Sequence, residues 1–337
     1  MRVLSFGELL LRLNSPSYEK LFQSNILVSS FCGSEANVAV SLSNFGLQSV
    51  FVTKLPNNDV GRAATHSLDY FKVDTSNIVF GEGRMGLFYL ERGASQRPSK
   101  IIYDRNDSSF STANSDEFDW KKLFVDVDWF HWSGINPALS ENVFNMVLNA
   151  CCEAKKKGII ISCDLNYRNK LWTPEQAQTK MKQLMKYVDV CIANEEDAQM
   201  ALGINVEPQM VNDDKLERYR LIGECIINEY GCKYVAFSLR ESYNASVNGW
   251  SAVLFDGSNI YQSKKYEIQL VDRVGGGDSF AAGLIFGLLT KMEPQETIEF
   301  ATASSCLKQT IEGDFNRVSV NDVLKLLETG GTGRIQR

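Results

Sequence analysis

At 337 residues, with 44% hydrophobic and 23% charged residues, the chain has the composition of a soluble globular protein able to bury a sizeable core. A net charge of −6 argues against a surface built for nucleic acid or anionic membrane, while leaving room for a locally basic pocket. Eight scattered cysteines without a C-x-x-C, and only His66 and His131 as histidines, argue against disulfides, zinc sites and histidine triads.

In chain order, Met1-Arg2-Val3-Leu4-Ser5-Phe6 enters a strand pattern at once, which leaves no room for a signal peptide. No apolar run is long enough to span a bilayer, so a cytoplasmic location is expected. The strand is predicted from Val3 to Leu13, interrupted at Gly7-Glu8, and residues 18–31 show no clear period. Ser34 reads as the N-cap and Gly46 as the C′ residue of a helix. Gln48 to Lys54 is strand-like, and Asp59 to Phe71 is predicted as a second capped helix.

The segment Gly81-Glu82-Gly83-Arg84-Met85-Gly86 matches G-x-G-x-x-G. The residues after it alternate as a strand and do not open a helix, so a nicotinamide-dehydrogenase reading is weak. Met85 to Glu91 and Lys100 to Asp104 are predicted as a strand pair, a small sheet inserted between α/β units. His131, within Val127-Asp128-Trp129-Phe130-His131-Trp132, reads as a core histidine.

From Val127 onward strands and helices alternate. Strand Val127 to Trp132 precedes helix Glu141 to Lys157, and strand Ile159 to Cys163 precedes helix Pro174 to Lys186. Strand Val188 to Ala193, helix Lys215 to Asn228 and strand Tyr234 to Leu239 continue the series. Near-continuous apolar strands in this order indicate a parallel sheet buried on both faces. Polar clusters follow three of them: Asp164-Leu165-Asn166-Tyr167-Arg168, Asn194-Glu195-Glu196-Asp197, and Ser238 with Arg240-Glu241. Ligands of open parallel sheets sit beyond those strand ends.

The stretch that organises the chain is Val271-Asp272-Arg273-Val274-Gly275-Gly276-Gly277-Asp278-Ser279-Phe280-Ala281-Ala282-Gly283. Glycines running into a helix expose first-turn N–H groups at the positive end of its dipole, an anion site. A carboxylate there repels phosphate, and makes sense as a base for a hydroxyl about to attack that phosphate. Beyond Asp278 three helices are predicted, at 279–291, 294–311 and 319–328.

This stretch closely resembles D-T-x-G-A-G-D-x-F-x-x-G, the C-terminal signature of the ribokinase-like (PfkB-type) carbohydrate kinases. Arg273 stands for the usual Thr and Gly276 for the usual Ala. The resemblance implies one ribokinase-like domain over 1–337. Its expected form is a three-layer α/β/α sandwich with a mostly parallel central sheet and a discontinuous β-lid at about 12–32 and 84–106. It assigns Asp278 as catalytic base and Gly275, Gly276 and Gly277 as the anion hole. Asn194 with Asp197 resembles the family's N-x-x-E motif for magnesium and phosphate, the shorter Asp placing any metal contact through water. Asn166, Arg168, Ser238 and Arg240, with Asn194, Gly275 and Gly277, are expected to hold ATP.

Cys32-Gly33-Ser34-Glu35-Ala36-Asn37 resembles the family's sugar motif G-G-A-x-x-N, which implies Gly33, Ser34 and Asn37 as acceptor contacts. Arg105 and Arg168 suit a planar carboxylate, for which a neutral sugar has no use. With Gly7 to Leu13, Tyr103-Asp104-Arg105 and Asp164 to Trp172, the chain looks like the branch that phosphorylates the sugar acid 2-keto-3-deoxygluconate with ATP and magnesium. That branch implies Tyr89, Tyr103, Arg105 and Arg168 as pocket lining and a substrate contact at Asp314. Lids of this family often form dimer contacts, so a homo-oligomer is expected, with Leu87, Tyr89, Ile101 and Tyr103 as its apolar face. A kinase of fructose, ribose or a nucleoside, and a non-catalytic sugar-acid-binding regulator, stay open as alternatives.

Overall fold

Trp129–Ser133 and Val190–Ala193 are buried along their whole length, as strands must be when helices cover both faces of a sheet. They lie in the middle of the main sheet of the computed structural model, which describes residues 1–207, 211 and 214–331. In chain order the strands are β1 (Arg2–Phe6), β2 (Leu10–Asn14), β3 (Val28–Cys32), β4 (Gln48–Val52), β5 (Lys54–Pro56), β6 (Val79–Gly81), β7 (Gly86–Glu91) and β8 (Lys100–Asp104). There follow β9 (Trp129–Ser133), β10 (Ile160–Asp164), β11 (Val190–Ala193), β12 (Tyr234–Ser242), β13 (Val247–Phe255), β14 (Ile260–Gln262) and β15 (Tyr266–Gln269).

The main sheet runs β14-β13-β12-β11-β10-β9-β1-β4, with β15 also on β13. From β4 to β12 every pairing is parallel, and β13, β14 and β15 add antiparallel edges. Side chains alternate across each strand and so divide the core in two. Leu4, Phe6, Phe130, Trp132, Val235 and Phe237 pack with the helices Glu141–Lys156, Pro174–Leu184 and Lys215–Tyr230. Val3, Trp129 and Ala236 pack with Ser34–Asn44, Gly276–Leu289 and Pro294–Lys308 on the other face. The result is a three-layer α/β/α sandwich. His131 is fully buried within it, its Nδ1 2.9 Å from Ser162 Oγ, and burial pushes the imidazole down to about 3, so it stays neutral.

The chain leaves β1 for β4 on one side and returns through β9 to β12 on the other. This reversal opens a crevice beyond the carboxyl ends of β1 and β9, where ligands of such sheets bind. A second sheet, β3-β2-β7-β8, stands over that crevice. A two-stranded pair, β5-β6, completes the set.

Several expectations are corrected. Val3 to Leu13 is two strands in two different sheets, because Gly7-Glu8 turns the chain out of the main sheet into the second. The strand β3 escaped detection because Val-Ser-Ser-Phe-Cys is a half-exposed edge without apolar alternation. The strands β13 to β15 escaped too, since β13 is buried on both faces and has no period of two. The G-x-G-x-x-G segment leads from β6 into β7 and opens no helix. All eight cysteines are free, and no helix among the described residues is long and apolar enough to cross a membrane.

Candidate active site

The glycine-led helix begins at Gly276, three residues before the predicted start, so two of the three glycines form its first turn. Gly275 is its N-cap in the left-handed region at φ +81°, and a Cβ there would stand 2.2 Å from the Asp314 carbonyl oxygen. Gly276 is packed under Gln309, and its carbonyl accepts from Ser305 Oγ at 2.7 Å. Around Gly277 a Cβ would meet nothing within 4 Å. Its missing side chain therefore keeps open the approach to the Gly277 and Asp278 amides, which no acceptor among the described residues occupies, whereas the Gly276 amide already donates to the Arg273 carbonyl at 3.3 Å.

Asp278 is not the cap of this helix. Its carboxylate crosses to the Ser34–Asn44 helix, where Oδ1 accepts from Ser34 Oγ at 2.8 Å and Oδ2 from Asn37 Nδ2 at 2.6 Å. Burial raises it to about 6, against these two hydrogen bonds, with Asp314 raising it further and Arg168 lowering it. At neutral pH it is ionised but basic enough to take a proton. Ser34 correspondingly does not cap its own helix: Gly33 is the N-cap, and a Cβ there would stand 2.1 Å from the Glu8 carbonyl oxygen.

Asp278 lines a cavity of about 770 Å3 closed on one side by the second sheet and on the other by the ends of β10 to β13. The second sheet contributes Leu10, Cys32, Phe88, Ile101 and Tyr103. Arg105 is buried with Glu8, its Nε donating to Glu8 Oε2 at 2.8 Å and its Nη2 to the same oxygen; Ser108 holds the other Glu8 oxygen. The guanidinium thus comes to the cavity already matched by a carboxylate. Among the described residues Arg168 donates only to the Tyr167 carbonyl and makes no ion pair, and its charge acts on Asp164, Asp197 and Asp278 around the cavity.

Asp314 lines the wall with one oxygen held by Arg12, whose Nη2 also meets Asp272 at 2.6 Å in a buried triad. Both carboxylates push the Arg12 guanidinium upward against the cost of burial. Lys308, fully buried, donates to the carbonyls of Asp272 and Val274 and pins the loop that enters Gly275. Glu35 is buried with Oε1 unpartnered, and burial raises its carboxyl to about 7.

On the opposite wall Asn166 lies in the left-handed region at φ +39°. Asn194 caps a short turn by accepting from the Asp197 amide at 2.8 Å, and Asp197 accepts from the Tyr167 amide at 2.9 Å. Burial raises Asp197 to about 6, and raises Asp164, which also faces Asp197 and Asp278, well above the usual range. Ser238 and Arg240 line the cavity from β12.

The cavity therefore brings together Gly33, Ser34, Asn37, Tyr103, Arg105, Asn166, Arg168, Asn194, Asp197, Ser238, Arg240, the three glycines, Asp278 and Asp314. Tyr89 lies outside it. In register Tyr89 pairs with Ile102 and Leu13, whereas Phe88 pairs with Tyr103 and Arg12, so it is Phe88 that faces the cavity and Tyr89 that points away against Phe22. The same alternation divides the expected apolar face: Leu87 and Tyr89 stand on the outer side, Ile101 and Tyr103 on the cavity side. Glu8, Glu35, Arg12 and Lys308 were given no role by the sequence. Only Arg12 left a signal, a lone charge within Leu10-Leu11-Arg12-Leu13, a run that is otherwise apolar.

The sequence profile of the pfkB family carbohydrate kinases matches residues 1–222 and 248–316. The crystal structure of 2-dehydro-3-deoxygluconokinase from Thermotoga maritima is similar with a TM-score of 0.94 and 47% identity, over 97% of this chain and 98% of that one. The 2-dehydro-3-deoxygalactonokinase of Haloferax volcanii is 30% identical over 332 residues, 98% of either chain. Fructokinase-1 of Oryza sativa subsp. japonica is 26% identical over 97% of this chain and 98% of its own length.

Proposed function

The chain belongs to the pfkB family of carbohydrate kinases, phosphotransferases with an alcohol acceptor, and we propose that it transfers the γ-phosphoryl group of ATP to the terminal hydroxyl of 2-keto-3-deoxygluconate, giving 2-keto-3-deoxy-6-phosphogluconate. The observation that carries this reading is the position of Asp278. Its carboxylate is held between Ser34 and Asn37 on one side and the open first turn of the glycine-led helix on the other. A hydroxyl seated against Ser34 and Asn37 gives its proton to Asp278 as its oxygen attacks the γ-phosphorus in line. The first-turn amides stabilise the charge on the transferring group.

The preference for an acid rests on Arg168. Glu8 neutralises Arg105, so the net charge that attracts a carboxylate comes from Arg168, while Arg105 offers a fixed donor edge through Nη1. Asp197, through water, with Asn194 beside it, would hold magnesium. When bound it would neutralise charge on the phosphates. The second sheet acts as a lid within a single kinase domain, excluding water that would hydrolyse ATP.

The test is ADP release with ATP and magnesium on 2-keto-3-deoxygluconate, its galactonate epimer, fructose, ribose and adenosine. Turnover confined to the two keto-deoxy acids is expected, with Arg168→Ala raising their KM about 10- to 100-fold. Comparable turnover on fructose or ribose would replace the acid by a neutral sugar. Silence on every acceptor would favour a binding protein without catalysis.

A further inference from the structure

Arg273 interrupts the family signature where a threonine is usual, and among the described residues no carboxylate pairs with it. It lies in the loop between β15 and the glycine-led helix and lines the cavity beside Gly275. Its Nη2 donates to the neutral Asn248 Oδ1 at 3.2 Å, and its Nε is buried without an acceptor. Asn248 pairs with Ser242 across β12 and β13, and Arg240 pairs with Trp250, so these four side chains stand on one face of the strand pair. Arg240, Asn248 and Trp250 all line the cavity there, and Arg240 has no acidic partner among the described residues either. Burial and the charge of Arg240 both push the Arg273 guanidinium below its usual range.

Arg273 is half-buried and Arg240 exposed, and the two fully buried arginines of the site differ. Arg105 is matched by Glu8, and Arg12 by Asp272 and Asp314. Two unmatched cations set together near the positive end of a helix repel each other and that dipole. The arrangement becomes favourable when a polyanion enters. A single phosphate is met by the first-turn amides alone, whereas a chain of phosphates extends beyond them toward β12 and β13.

We propose that Arg273 and Arg240 form a side-chain clamp on the β- and γ-phosphates of the nucleotide, so that this chain discriminates polyphosphates from monophosphates at a position where the family signature carries an uncharged threonine. The proposal deepens the kinase reading and rests on it for the identity of the polyphosphate. It also explains why Arg273 is held by Asn248: a neutral partner orients the guanidinium without cancelling its charge.

Calorimetric titration of the full chain with ADP and with AMP, each with magnesium, tests the clamp in wild type, Arg273→Thr, Arg273→Lys and Arg240→Ala. ADP affinity is expected to fall roughly 10- to 100-fold in Arg273→Thr and less in Arg273→Lys, with AMP affinity changed less than about twofold. The KM for ATP should rise in parallel while the acceptor KM holds. Equal losses for ADP and AMP would overturn the clamp, as would a lowered Tm with unchanged ADP affinity, or a wild type that does not bind ADP. The titration needs no turnover, so a protein silent on every acceptor but showing the ADP-selective loss would retain the clamp and lose the kinase reading.

Discussion

At Asp278 the cost of burial and the requirements of the proposed catalysis meet in one carboxylate. Burial raises it from 3.8 to about 6, and the donors Ser34 and Asn37 keep it from rising further. The base must be ionised, so kcat/KM should climb with pH through about 6 and level off above it. A pH-rate profile without that acid limb would remove Asp278 as the base. Asp278→Asn should lower kcat by roughly 10²–10⁴ while ATP binding is kept. The sign for stability is opposite. A raised folded pKa gives stability that is complete below the unfolded value and lost as pH rises through the folded one, so the ionised, active form is the less stable. The same holds for Asp197 near 6 and Glu35 near 7. Asp278 was legible in the sequence because three glycines and a helix surround it. Its setting was not, since Ser34 and Asn37 lie 244 and 241 positions away.

The helix Gly276–Leu289 gives its glycines different tasks. Gly275 has a positive φ and a backbone oxygen where a Cβ would go, so Gly275→Ala should lower Tm by several degrees. Gly277 has neither constraint. Gly277→Ala should leave Tm unchanged or slightly raised, alanine being the better helix former, yet lower kcat/KM for ATP at least tenfold because the methyl stands in the phosphate cradle. Comparing Tm and turnover of the two variants checks the assignment, and full activity in Gly277→Ala would place the phosphates elsewhere. Three consecutive glycines carried the expectation of an anion site, but not which of them serves the fold. Tyr89 and Phe88 teach the same lesson in a strand, where a shift of one residue exchanges the two faces.

On the scale of the molecule, the second sheet offers an outer face of Leu13, Leu87, Tyr89 and Ile102, with the exposed Phe22 beside it. We predict that a second copy covers this face. Light scattering should give the mass of an oligomer for wild type and of a monomer for Tyr89→Lys/Ile102→Lys, and a monomeric wild type at tens of micromolar would refute the contact. The α/β alternation, the parallel sheet, the glycine-led helix with its aspartate, and the polar clusters at the strand ends were all legible in the order of the residues. These follow from local periodicity and from steric demands that few residue types meet. It took the fold to show that Glu8 neutralises Arg105, that Arg12 binds Asp272 to Asp314, that Ser34 serves Asp278 instead of its own helix, and that Arg273 and Arg240 stand together without an acidic partner among the described residues. Each of these is a meeting of charges or donors far apart in the chain, and a charge in a sequence carries no sign of what will neutralise it until the fold brings its partner within reach.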